Sequence, residues 1–366
     1  MERQPFTLDR NDRRSLADQL VDNIRNAVRM GMLKPGETLP TLEQVAKGNG
    51  VSLIVVRQAY RRLAKLGVVQ SRPRLGTVVM PQKGRTWKGN VVLVTTERYE
   101  NYLVSVIAGV LSHRLLQSGY LISHVVIFAD GKGKADFGLL DATLSSSVDL
   151  AIVLFDRWNI ARHVVQSGVP CISVGHGVRP PKGCVGFVRY DVAAVVPDFV
   201  ARCCSAGVAS VGVVSAGSRI PDVESPLREM GIRVNPIAVV PVSGCGVREG
   251  VERGAFRHFS SLLAKKKWRC PDLLFFNDDF AARGAITALL AAGVSIPRDV
   301  RVVTWANFGD EPVFPFTLSR MEMDPFASGE SLSCYVLSFL SGKRIPKPPV
   351  FHPVYCSGES FGTPLS

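Results

Sequence analysis

The chain is 366 residues long, 46% apolar, and carries a formal net charge of +13. That length calls for two or three domains, and the apolar content is enough to bury a sizeable core. The eight cysteines form no C-x-x-C pair, and Cys203 and Cys204 are adjacent, so neither a disulfide framework nor a zinc site is expected. The start "MERQPFTLDRNDRRS" lacks the apolar core of a signal peptide, and the longest clean apolar stretch, "GAITALLAAGVSI", is too short to span a bilayer. These features predict reduced thiols, no membrane partner and a cytoplasmic location. The charge is uneven: residues 1–90 hold 17 Lys+Arg against 7 Asp+Glu, and residues 91–366 hold 27 against 24. A basic module on a nearly neutral body points to a polyanion that meets the module alone.

Along the chain, "SLADQLVDNIRNAVRM" (15–30) places Leu16, Leu20, Ile24, Ala27 and Val28 at helical spacing. "GMLKPGETLP" breaks the helix with two glycines and two prolines. Thr41 with Gln44 reads as a capping box that opens a second helix, which "GNG" ends. Ser52 is placed to cap a third helix running to about Leu66, with Val56, Ala59, Tyr60 and Leu63 on one face. Arg57, Arg61, Arg62 and Lys65 lie largely on other faces. "VVQSRPRLGTVVM" then reads as a hairpin whose turn carries Arg72 and Arg74. "PQKGRTWKGN" (81–90) is polar, basic and broken by Pro and Gly, and is the expected linker.

Beyond it, apolar strands alternate with helices. "NVVLVTT", "YLISHVVIF", "DLAIVLF", "CISVG", "VGFVRYD", "SVGVVSA", "RVNPIAVV", "DLLFFND" and "RVVTWA" read as strands. Helices are expected at Tyr102–Gln117, in "NIARHVVQSG", "VAAVVPDFVARCCSAG", "GVREGVERGAFRHFSSLLAKK" and "FAARGAITALLAAG". Such alternation implies parallel sheets covered on both faces. The region is too long for one small sheet, so two lobes with a cleft are expected, and ligands in such folds sit at the carboxyl ends of strands. The predicted fold class is α/β: an N-terminal winged helix-turn-helix over 1–80, a linker over 81–90 and a two-lobed domain over 91–366.

A helix, a helix-turn-helix and a basic hairpin can grip a duplex, with the third helix in the major groove. Residues 15–80 resemble the DNA-binding domain of GntR-family repressors in "GMLKPGETLPTLEQVA", "GVSLIVVRQAYRRLAKLGVVQSRP" and "GTVV". The resemblance implies operator DNA as partner and a homodimer on an inverted repeat. It makes Arg57 the base reader, and Thr41, Ser52, Arg61, Arg72, Arg74 and the amide of Gly76 further contacts. Two positions depart from the family, which usually carries arginine where this chain has Glu43 and Leu53.

Residues 271–325, from "PDLLFFNDDFAARGAITALL" to "LSRMEMDP", resemble the LacI-family effector domain, itself related to periplasmic sugar-binding proteins. "VIAGVLSHRLLQSGYLI", "SGVPCISVG" and "YDVAAVVPDFVARCCSAGVASVGVVSA" extend the resemblance from about Asn90 to Phe361. The layout is that of arabinose-type repressors, and no LacI-type hinge helix is evident at the linker. The resemblance implies a small-molecule effector, a sugar or related polyhydroxyl metabolite. The family's ligand-contacting aspartate precedes an A-x-G step, and counting back from Ala282 and Gly284 selects Asp279; Asp278 then suits the helix N-cap. A carboxylate there can accept bonds from vicinal hydroxyls. Asp278 competes with Asp279 for this role, and Thr96, Arg98, Arg157, Arg189 and Asn307 are further candidates for the effector cleft at other strand ends, Arg189 first among them. Trp158 and Trp305 could stack on a sugar, although core packing is their default.

The six histidines are scattered, with no H-x-H or H-E-x-x-H, and there is no G-x-S-x-G or Walker A motif. Lys265–Lys267 end a helix, and "GKGKAD" (131–136) is a basic loop rather than a phosphate cradle. The sequence therefore predicts no enzyme and no cofactor. Two alternatives are a GntR-type reader fused to a pyridoxal-phosphate-enzyme-like domain and a DNA-binding protein whose sensor is degenerate.

Overall fold

The computed structural model describes residues 6, 8–10, 14–29, 32–81, 87–96, 102–129, 133–146, 148–176, 179–216, 222–242, 247–265, 268–342 and 345–362. Arg98, residues 82–86 of the linker, 131–132 of the basic loop and 266–267 of the lysine run lie outside the described residues. The chain divides into two compact units, one of Met1–Val94, Ser112–Val153 and Ile160–Cys171, the other of Thr95–Leu111, Leu154–Asn159 and Ile172–Ser366.

Three helices open the first unit: α1 (Leu16–Arg29), α2 (Leu42–Asn49) and α3 (Leu53–Lys65). The hairpin of β1 (Val69–Arg72) and β2 (Gly76–Val79) follows. Both expected caps form. The Thr41 hydroxyl accepts from the Gln44 amide at 3.2 Å while the Gln44 side chain accepts from the Thr41 amide at 2.8 Å, and the Ser52 hydroxyl accepts from the Val55 amide at 3.4 Å. Leu20, Ile24, Val45, Val56, Ala59, Tyr60 and Leu63 form a buried core. The Tyr60 hydroxyl donates to the Pro40 carbonyl at 2.9 Å and so ties α3 to the segment leading into α2. That segment also pairs with the hairpin, through an isolated bridge from Thr38 to Val78.

The rest of the chain builds two six-stranded sheets. The first takes β3 (Gly89–Thr96), β4 (Tyr120–Ile127), β5 (Leu150–Leu154), β6 (Cys171–Gly175), β7 (Gly186–Tyr190) and β13 (Val350–Phe351), in the order β13-β7-β6-β5-β3-β4. The second takes β8 (Ser210–Ser215), β9 (Arg233–Ala238), β10 (Leu273–Phe276), β11 (Arg301–Asn307), β12 (Ser319–Met323) and β14 (Val354–Cys356), in the order β14-β12-β11-β10-β8-β9. The β3–β5, β6–β7, β7–β13, β8–β9, β8–β10, β10–β11 and β11–β12 pairs are parallel, and β14 runs antiparallel to β12. The chain therefore passes between sheets three times: after β7, after β12 and after β13. The central strands are buried along their length, as continuous apolar runs require. Pro236 sits in β9, an edge strand where its missing N–H costs little.

The connecting helices are α4 (Tyr102–Gln117), α5 (Gly138–Leu144), α6 (Ile160–Gln166), α7 (Val196–Ser205), α8 (Glu224–Glu229), α9 (Val247–Leu263), α10 (Asp279–Ala291) and α11 (Pro325–Leu340). Sequence reading found neither α5, α8 nor α11, and it missed β12, β13 and β14. α11 is the large omission. Its sequence "PFASGESLSCYVLSFL" is rich in residues of low helix propensity, but tertiary packing overrides that preference. Asp324 caps it from two amides at 2.9 Å, and the hydroxyls of Ser328 and Ser333 donate to carbonyls one turn back at 2.7 and 2.6 Å. The strand β3 begins at Gly89, so the last two residues of the 81–90 stretch are already in the sheet.

Candidate DNA-binding surface and effector site

In the winged helix, Thr41, Ser52, Arg57, Arg61, Arg72, Arg74 and Gly76 are all exposed. The buried stripe of α3 is Val56, Ala59, Tyr60 and Leu63, which leaves Arg57 and Arg61 one turn apart on an outer face. The Thr41 and Ser52 hydroxyls accept their capping bonds and keep an O–H to donate to phosphate. Arg62 is already bound to Asp18 of α1, whose carboxyl is held low first by its bond from Ser15 and then by Arg62. Arg74 is in the left-handed region at φ 65°, a conformation that costs a non-glycine residue about 1–2 kcal/mol. Sequence reading noted Leu53 but passed over Ile54, which is 75% exposed beside it.

In the second unit, the carboxyl end of β10 delivers a polar cluster. Asn277 joins β10 to β8, donating to the Ser215 hydroxyl at 3.2 Å and accepting from the Ala216 amide at 3.3 Å. Asp278 is the N-cap of α10 and accepts from the amides of Phe280 and Ala281 at 3.0 and 3.1 Å. Asp279, one residue on, is buried. Its carboxylate lies 3.5 Å from the Arg283 guanidinium, which also reaches the Asp310 carboxylate at 3.6 Å and donates to the Asp310 carbonyl at 2.8 Å. Burial, with Asp278 alongside, pushes the Asp279 carboxyl up to about 7, partly opposed by Arg283. Close helix packing fixes the position: a Cβ on Gly284 would fall 2.0 Å from the Glu252 carbonyl of α9. Asn307 ends β11, half-buried. Two residues later the backbone at Gly309 passes so close to Tyr102 that a Cβ would lie 2.6 Å from its hydroxyl.

The carboxyl ends of β5, β6 and β7 present rings. Phe155 follows β5, His176 follows β6 and Tyr190 ends β7, with the Phe155 centroid 5.1 Å from His176 and 5.2 Å from Tyr190. Phe155 holds φ 51°, a strained backbone of the kind that clusters at functional sites. Sequence reading missed this trio, and it missed Arg283 and Asp310. The signal available was position alone, each ring standing directly at the end of an apolar run. Of the residues it named, Thr96 ends β3, half-buried. Arg189 is taken up by Asp191 at 3.1 Å. Arg157 is exposed and lies over the Trp158 ring at 4.9 Å. Trp305 packs with the core of the second sheet, its indole N–H buried and without a hydrogen-bond partner.

A cavity of about 640 Å³ lies elsewhere, lined by Arg202, Arg301, Ser319, Tyr355 and Phe361. Arg301 and Ser319 begin β11 and β12, so this cavity is at the amino ends of the strands. Arg202 is satisfied there by Asp198 at 3.0 Å and by the Tyr355 ring at 4.2 Å. The cavity is roomy enough for a small molecule, but in parallel α/β sheets ligands bind beyond the carboxyl ends. Asp279 and the aromatic trio are at those ends.

Comparison with known proteins matches both parts. Residues 16–79 match the bacterial regulatory proteins of the gntR family, and residues 208–361 match the periplasmic binding protein-like domain. The chain thus joins a gntR-type domain to a region that matches a periplasmic binding protein-like domain. The HTH-type transcriptional regulator Rv1152 of Mycobacterium tuberculosis is 41% identical over 64 residues, 18% of this chain and 53% of that protein. The mannosyl-D-glycerate transport/metabolism system repressor MngR of Escherichia coli is 38% identical over 65 residues, 18% of this chain and 27% of that protein. The chain spans about half the length of the first of these relatives and about a quarter of the second.

Solved structures match the body. A LacI family regulator from Arthrobacter sp. FB24 in complex with lactose has a TM-score of 0.58 at 18% identity, over 74% of this chain and 99% of that one. A LacI family regulator from Enterococcus faecium with bound ribose scores 0.58 at 15% identity, over 75% and 100%. The lac repressor dimer bound to operator and the anti-inducer ONPF scores 0.56 at 14% identity, over 75% and 94%. At these identities the likeness shows the fold. No helix among the described residues is long and apolar enough to cross a membrane.

Proposed function

We propose that this chain is a ligand-responsive transcriptional regulator, a repressor that acts as a homodimer. The winged helix holds operator DNA, and a sugar or related polyhydroxyl effector binds at the carboxyl ends of the body's strands. The observation that carries the reading is the cluster of buried Asp279 with half-buried Arg283 and Asp310 at a strand's carboxyl end, in a chain that also bears a gntR-type domain. A carboxylate and a guanidinium side by side offer acceptors and donors to adjacent hydroxyls. The Phe155 and His176 rings, backed by the buried Tyr190, supply apolar faces of the kind that stack on a sugar ring. Lactose and ribose complexes of structurally similar regulators support the ligand class.

In the DNA-binding part, Arg57 reads a base, and Thr41, Ser52, Arg61, Arg72, Arg74 and Gly76 hold the backbone. Phosphate contacts position the protein and base contacts specify the sequence. Arg57→Ala therefore relaxes discrimination between specific and random duplexes by about 1–3 kcal/mol.

The test is a thermal-shift screen of monosaccharides on the full chain, followed by fluorescence anisotropy on operator duplex with and without each hit. A ligand at 100 times its Kd adds about 2.7 kcal/mol to stability. Asp279→Ala is expected to abolish the shift and the change in DNA affinity; a normal shift in that variant would place the effector elsewhere. A second reading has one observation in its favour: Arg283 already gives Asp279 an internal partner. If no polyhydroxyl compound shifts the melt, the sensor is degenerate and the chain binds DNA constitutively.

A further inference from the structure

We infer that Leu53 and Ile54, at the amino end of α3, read the C5-methyl groups of thymine in the major groove. This rests on the DNA-binding reading above. Leu53 is 42% exposed and Ile54 75% exposed, beside Arg57 one turn further along the same outer face. The inner face, Val56, Ala59, Tyr60 and Leu63, is filled by the core, so neither side chain has a packing role that fixes its identity. Removing a side chain of this size from water is favourable, and most of that gain is unrealised for Ile54 in the free protein.

The position selects the occupant. In a helix-turn-helix the amino-terminal residues of the second helix are the ones that meet base edges. Among those edges the thymine methyl is the one apolar group the major groove offers. Arg57 and Arg61 follow the apolar tip on the same helix, and the module that carries it is strongly basic, which suits a polyanion rather than an apolar protein surface. At position 53 the chain presents a leucine, which has no donor for a guanine edge. The predicted half-site therefore has thymines at the positions facing Leu53 and Ile54, next to the guanine taken by Arg57.

The experiment uses the full chain. Duplexes are selected from a random library by repeated binding, and the strongest is resynthesised with deoxyuridine for thymine, one position at a time. Deoxyuridine removes only the methyl and keeps the base pair. At one or two positions the swap is expected to weaken binding about 3–30-fold, while swaps outside the protected region do nothing. Ile54→Ala should lose a similar factor on the thymine duplex and show little further loss on the uracil duplex. Since Ile54 is exposed, its melting temperature should match the wild type. Leu53→Arg should select duplexes with guanine in place of one thymine.

Equal binding of thymine and uracil duplexes by a protein that does select a sequence overturns the inference and leaves the regulator reading intact. A drop in oligomeric mass in Ile54→Ala also overturns it, because the surface would then meet a second copy. Failure to enrich any sequence brings down the DNA-binding reading and this inference together.

Discussion

Asp278 and Asp279 show how neighbouring identical residues acquire different chemistry. Asp278 faces the open end of α10 and spends its carboxylate on two amides, while Asp279 is turned into the protein, where ionisation is penalised. Its folded pKa is raised from 3.8 to about 7, so its contribution to folding is full below pH 4 and is lost as the pH rises through 7. Asp279→Asn should therefore melt higher than wild type at pH 8, with the gap closing towards pH 4; parallel melts across that range check it. Arg74 offers a second residue-scale test. Arg74→Gly relieves the left-handed φ and should stabilise the hairpin by up to about 1 kcal/mol, yet weaken all duplexes alike and lower the salt slope of binding by about 1. The Asp278 cap was legible because an N-cap signal is local. The Arg283–Asp310 pair was not, since its members lie 27 positions apart and meet only when the loop after β11 folds back.

Among elements, those with local signals were found and those decided by packing were not. The capping box of α2 and the Ser52 cap of α3 are written in four-residue windows, and both form as read. The strands β3, β5 and β10 announce themselves as unbroken apolar runs. By contrast, α11 owes its helix to what it packs against, and β13 and β14 are two and three residues long, too short for any periodicity. The α9–α10 pair makes the sharpest prediction at this scale. Gly284 lets α10 lie against the α9 backbone, and Gly254 does the same for α9 against Val240, where a Cβ would fall 2.3 Å from a carbonyl oxygen. Gly284→Ala should cost about 1–3 kcal/mol or more through forced separation of the helices. Thermal melts read this directly, and a change within a few tenths would show that the helices part easily.

For the molecule as a whole, the division of charge sets the expected behaviour in solution. The first 90 residues carry most of the net positive charge, so duplex affinity should fall tenfold or more for a few-fold rise in salt. Anisotropy titrations at several salt concentrations check this, and salt-independent binding would contradict it. The two-sheet architecture was legible from the strand–helix alternation, whereas the three passages between sheets were not, because nothing local marks which sheet a strand will join.

Those passages have a consequence for how the protein is made. Residues 350–356 supply an edge strand to each sheet, although the other strands of both sheets lie earlier in the chain. On the ribosome, the first sheet cannot complete its pairing until β13 has emerged, nor the second until β14 has. Each growing sheet meanwhile shows an unpaired edge, β7 in one and β12 in the other, of the kind that templates association between chains. A nascent chain halted before residue 350 is thus expected to be a client for chaperones, and its release from them would be timed by seven residues.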